Sequence, residues 1–192
     1  MPKPHAKSMI CLLGINHRYQ VYVSRPSPLL TDKLERFKVF VTAIIQSNAI
    51  AAIAEEINHT ETIASFIVKN TDSPIKYLVC EPNADERRKL GIPDGDEIFT
   101  NFQTRNYETN FETYRDKVIK KYIPVREEFW INCLRNQCDL KKSVLLICGA
   151  SHVKGFSRRL DKHGLKNTTI CDDWLVKDDK EYGSLPIEVA PL

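Results

Sequence analysis

No run of apolar residues in this chain approaches the roughly 18–20 needed to span a bilayer. A secretory signal is also missing: the first apolar stretch, MICLLGI, is short and follows a polar, proline-containing lead. Charge of one sign is not in excess. Lys and Arg total 28 against 25 Asp and Glu, a formal net charge of +3. That balance is too mild for a nucleic-acid or anionic-membrane binder, and the paired basic residues are scattered. The chain contains no HExxH, no Walker loop and no GxGxxG. Its six cysteines lack zinc-ribbon spacing. Cys11, Cys80, Cys148 and Cys171 fall in apolar runs, where a free thiol behaves as a small hydrophobe. These absences point to a cytoplasmic protein with reduced, mostly buried thiols.

What is present is alternation. The apolar runs SMICLLGI, AIAAIAEE, IKYLVCEP, SVLLICGA and NTTICDDW have strand length. Helical spacing separates them: Leu30 to Ile45 (with Thr31 or Asp32 as N-cap), TETIASFIVKN, NADERRKLGIP and VKGFSRRLDKHG, the last closed by Gly164. DGDEIFT reads as a turn followed by polar chain, and Tyr107 to Cys138 as helical. Pro124 divides that region, so that VREEFWINCLRNQ starts a separate helix. Continuously apolar strands alternating with helices predict an α/β fold: a mainly parallel sheet flanked by helices, in one domain over 1–192. A helical insert over 95–138 precedes the last strands, and 1–8 and 174–192 read as tails.

In such a sheet the carboxyl ends of the strands share one edge, and ligands bind there. The first strand ends in Gly14-Ile15-Asn16-His17 and the fourth in Gly149-Ala150-Ser151-His152. Glycine before each His is expected to let the backbone turn off the strand. The second strand brings Glu55 and Glu56 to this edge, and the third brings Glu81. Two histidines and a carboxylate, here His17, His152 and Glu56, suit a divalent metal such as Mn, Zn or Fe with a position left for water. Without a metal, one His serves as general base and a Glu orients it, while an Arg stabilises developing negative charge. Arg126 is the candidate for that role, and Arg87, Glu81, Ser151 and Glu127 are candidates for substrate contact. GASHV approaches a nucleophile elbow but ends in Val153 rather than Gly. Glu127 and Glu128, read at a helix start, equally suit the helix dipole, and His163 beside Gly164 suits a helix end.

The motifs GINH, EE, ERRKLGIP, REEFW and ICGASH, in this order over about 10–172, resemble the superfamily that groups TraB-like proteins, TIKI proteases, ChaN-like haem-binding lipoproteins and erythromycin esterases, in particular a group of small bacterial members. The resemblance implies an α/β fold with a site at His17, Glu55 or Glu56, Arg126 and His152. The superfamily includes metal-dependent peptidases, esterases and haem binders. The leading expectation is a hydrolase, metal-dependent or not, acting on a small molecule or peptide. The alternative is a non-enzymatic protein that binds or senses a metal, haem or a small anion. A third expectation is a component of a multi-protein system, docking a partner through the insert or through the tail from Trp174.

Overall fold

The computed structural model describes residues 8–21, 28–59, 61–71, 74–104 and 110–175. Expectations for the tails at 1–7 and 176–192, and for the start of helix at Tyr107, lie outside the described residues. Five strands form one all-parallel sheet: β1 (Ile10–Ile15), β2 (Ile50–Glu55), β3 (Lys76–Val79), β4 (Ser143–Gly149) and β5 (Asn167–Cys171), in the order β3-β2-β4-β1-β5. Helices α1 (Pro28–Asn48) and α2 (Ile63–Lys69) follow β1 and β2. Helices α3 (Ala84–Lys89), α4 (Gly95–Thr104) and α5 (Phe111–Gln137) lie between β3 and β4, and α6 (Val153–Lys162) joins β4 to β5. The expected α/β architecture, with a helical segment before the last strands, is therefore present. Among the described residues no helix is long and apolar enough to cross a membrane.

Alternation along the strands sorts the core into two layers. Leu13, Ile15, Ile53, Leu145 and Ile147 pack with Phe37, Val41 and Ile44 of α1 and Ile63 and Ile67 of α2. Leu12, Ala54, Leu146 and Cys148 face Trp130, Ile131 and Leu134 of α5 and Phe156 and Leu160 of α6. Each buried Leu or Ile contributes about 1.5–3 kcal/mol relative to exposure, so both helix layers are held by their apolar stripes. The six cysteines are free thiols, as expected, and all but the half-buried Cys138 are buried.

The sequence reading needs correcting at several points. DGDEIFT is not a turn running into polar chain: α4 begins at Gly95. Asp94 caps it, with the Glu97 amide donating to Asp94 Oδ1 at 2.8 Å and the Asp94 amide donating to Glu97 Oε2 at 3.0 Å. Pro124 does not divide α5, which runs unbroken from Phe111 to Gln137. Pro124 is exposed, so water can replace the bond that its missing amide would have made to the carbonyl one turn back. Glu127 and Glu128 accordingly sit in mid-helix, and the dipole explanation for them fails. Helix α1 begins at Pro28, which places Thr31 and Asp32 inside the helix rather than at its cap. Trp174 is not tail: it is 1% exposed and packs edge-on against Phe37 at 5.1 Å and Tyr19 at 6.1 Å.

Candidate active site

Strands β1 and β4 are neighbours, with Ile15 opposite Gly149. From this pair the chain proceeds outward in opposite directions, to β2 and β3 on one side and β5 on the other. The two Gly-x-x-His turns thus leave the sheet at its topological switch point, where open α/β sheets form their crevice. His17 opens a 3-10 turn over His17–Tyr19, and the Gln20 amide closes it on the His17 carbonyl at 3.0 Å. His152 stands directly before α6.

Neither glycine is there for backbone freedom, contrary to expectation: the positive-φ glycines among the described residues are Gly91 and Gly164. Close approach explains both. A Cβ on Gly14 would lie 2.0 Å from the Asp172 carbonyl oxygen and 2.7 Å from Val153 Cγ2. A Cβ on Gly149 would lie 3.0 Å from His17 Nε2 and 3.5 Å from Glu56 Oε2. The first glycine admits the chain leaving β5, and the second admits the imidazole of His17.

Glu55 and Glu56 are consecutive at the end of β2, so their side chains take opposite faces. Glu56 enters the α5–α6 face. Its Oε2 accepts from the Gly149 amide at 2.8 Å, and its Oε1 pairs with Arg126 Nη2. Both histidines point at the same oxygen, His152 Nε2 at 3.4 Å and His17 Nε2 at 3.8 Å. Arg126 is also clamped by Glu81, with Nε at 3.1 Å from Oε1 and Nη2 at 2.9 Å from Oε2. Arg87 pairs with Glu81 from α3, and Trp130 Nε1 donates to it at 3.2 Å. Burial opposes the Arg126 charge, but the Glu81 and Glu56 carboxylates outweigh it and leave the guanidinium more firmly protonated than usual. His152 is braced from behind: its Nδ1 is 3.2 Å from Glu127 Oε1, and Arg159 Nε holds Glu127 Oε2 at 2.9 Å.

Glu55 enters the α1–α2 face and is fully buried. It accepts from Thr62 Oγ1, from Tyr77 OH at 2.8 Å and from Gln20 Nε2 at 3.2 Å. Burial raises its carboxyl above the ordinary glutamate range, although Thr62, Tyr77, Gln20 and the nearby His17 all pull the other way. Tyr77 is likewise pushed up, first by burial and then by Glu55. Because the Gln20 amide nitrogen is committed to Glu55, its oxygen faces His17 Nδ1, 2.6 Å away. The imidazole must then donate from Nδ1, and Nε2 of the neutral ring carries the lone pair.

His17, Glu56, Glu81, Arg87, Arg126, Glu127 and His152 are therefore brought together in one network. Glu55 is linked to it by a hydrogen bond through Gln20. Ser151 is exposed on the β4–α6 turn and is not among the side chains bonded to the cluster. Sequence reasoning missed Gln20, Thr62, Tyr77 and Arg159. Gln20 alone had a local signal, lying three residues after His17 at the close of the same turn. The metal ligands expected, His17, Glu56 and His152, are present in kind, and their 3.4 and 3.8 Å separations resemble those of neighbouring ligands around a zinc-sized ion. As arranged, however, Arg126 sits on the same carboxylate oxygen, and a divalent cation would have to displace the guanidinium. Among the described residues no group of three or more His, Cys, Asp or Glu is disposed to hold a metal ion. No protein-family model, no curated protein and no solved structure matches this chain.

Proposed function

We propose that the chain is a hydrolase whose reaction takes place before Glu56, between His17 and His152, and that it is related to the superfamily its Gly-x-x-His pair resembles. One observation carries this reading: two imidazoles from distant parts of the sequence turn their Nε2 atoms to one carboxylate oxygen, each with its Nδ1 taken by a separate buried partner. Such bracing presents a nitrogen of fixed tautomer for proton transfer, and solvated loop histidines have no need of it.

His17 is the accessible member, its side chain 46% exposed, and water and substrate can reach it. In this reading its Nε2 takes a proton from the attacking water as the new bond to the acyl or phosphoryl centre forms. The same proton then passes to the leaving group as the scissile bond breaks. Glu56 stabilises the imidazolium of that step. His152, buried and edge-on to Trp130 with ring centroids 5.0 Å apart, keeps Glu56 in place. Arg126, held on the same Glu56 oxygen, is the cation that would meet developing negative charge.

The test is a screen of the purified chain against esters, amides and phosphoesters, repeated on His17→Ala and His152→Ala. A hydrolytic role requires turnover that falls by about 10²–10⁴-fold in each folded variant. Unchanged turnover in both would sink it. Elemental analysis of the same preparation addresses the alternative of metal binding without catalysis, in which a cation would displace Arg126 from Glu56. Stoichiometric metal lost in the histidine variants, with no turnover across the screen, would establish that alternative.

A further inference from the structure

The helices between β3 and β4 enclose a cavity of about 610 Å³ that begins at the sheet edge, where Asn58, two residues after Glu56, and Arg87 line it. A smaller hollow of about 220 Å³ shares Arg87, Ile98, Val118 and Tyr122 with it and adds Arg126. The two guanidiniums that grip Glu81 and Glu56 are thus also cavity wall. The polar cluster and the cavity lie on two sides of the same pair of side chains.

The cavity has a definite chemistry. Its apolar surface is branched and aromatic, from Ile92 and Ile98 on one side and Tyr114, Val118 and Tyr122 of α5 on the other. Cations outnumber carboxylates in its lining. Arg87, Arg88 and Lys121 line the larger part, and Arg115 and Arg126 the smaller, against Asp94 and Glu97. Those two carboxylates are occupied in capping α4. The arginines have carboxylate partners: Glu81 for Arg87, Asp85 for Arg88, Glu112 for Arg115, and Glu56 and Glu81 for Arg126. Lys121 has none among the described residues. Its ammonium lies 5.4 Å from the Tyr122 ring, at the exposed side of the cavity.

We propose that this cavity is a ligand pocket adjoining the candidate site and that it takes an amphipathic anion: an aromatic or branched apolar body bearing a carboxylate or phosphate directed to Lys121. The inference does not rest on the hydrolytic reading. Ile92, Ile98 and Val118 receive the apolar body, the tyrosine rings stack on its flat part, and Lys121 neutralises its charge.

Calorimetric titration of the full chain with phenyl phosphate, 3-phenylpropionate and the neutral 3-phenylpropanol tests it. Binding of either anion, weakened by salt and tighter than that of the alcohol, is the expected result. Lys121→Glu, an exposed change, should weaken the anions about tenfold by setting like charges together. Ile98→Trp should abolish binding of all three by filling the cavity. Equal affinity for the alcohol and the anions, anion binding indifferent to both cavity substitutions, or no binding of any probe would overturn the proposal. These readouts need no turnover. If the histidine variants leave hydrolysis unaffected, the hydrolytic reading falls while the calorimetric result stands.

Discussion

The two Gly-x-x-His turns leave adjacent parallel strands, yet their surroundings differ in kind. His152 is buried among charges, with Glu127 and Arg159 behind it and Glu56 and Arg126 before it. His17 is half exposed and is steadied by a neutral amide, Gln20, which a buried Glu55 fixes in turn. One motif thus serves two purposes. On the His152 side a buried ionic network sets a rigid frame. On the His17 side a hydrogen-bonded relay sets one tautomer on a ring that solvent can reach. The difference follows from which face of β2 each glutamate takes.

The comparison can be pressed hardest through the ionic half. Arg126→Leu leaves Glu56 and Glu81 buried without their cation and should cost about 3–5 kcal/mol, read as a fall in urea midpoint. A loss comparable to that of a surface substitution would mean that this network is no frame. The two glycines should separate next. Gly14→Ala drives a Cβ into backbone at Asp172 and should destabilise by about 3 kcal/mol. Gly149→Ala meets side-chain atoms of His17, Glu56 and His152 rather than backbone, so stability should change by less than about 1 kcal/mol while any turnover found in the hydrolytic screen collapses. The reverse pattern would undo the distinction between a structural and a functional glycine.

Gln20→Leu tests the neutral half. It should cost about 1–2 kcal/mol by removing one partner of buried Glu55. The ¹⁵N imidazole resonances of His17 should shift from the Nδ1–H tautomer towards a mixture, with those of His152 unmoved. Unaltered His17 resonances would dissolve the relay. The smallest effect belongs to Glu55→Gln. A carboxyl raised in the folded state adds stability that is complete below its unfolded value, near 4.5, and is lost as pH rises through the folded one. The neutral variant should therefore gain on the wild type as pH climbs from about 4.5, in unfolding curves taken at each pH. A difference that shrinks or stays flat would show Glu55 to be ionised at no cost.

Much of this was legible beforehand. Continuously apolar runs such as SVLLICGA announced a sheet covered on both faces, and parallel topology carried His17, Glu56, Glu81 and His152 to one edge. The split between Glu55 and Glu56 was also implicit in strand alternation, though the pair read as one carboxylate cluster. The capping box at Asp94 and Glu97 is written in the sequence, but Gly95 between them suggests a turn. Pro124 does not break its helix, since an exposed proline inside a long helix loses a bond that water can replace. The close approaches at Gly14 and Gly149 were out of reach. They depend on where the chain past β5 and the His17 ring lie in space, which no local pattern encodes. Gln20 and Tyr77 meet Glu55 only after three elements have packed.

The central claim is that His17 and His152 act as one unit on Glu56. The most direct measurement is kcat/KM for His17→Ala, His152→Ala and the double variant, on whichever substrate the hydrolytic screen turns over. The expected result is that each single change lowers it by about 10²–10⁴-fold and that the double variant falls little further, as residues of one machine do. Losses that multiply in the double variant, or singles that leave turnover intact, would contradict the account.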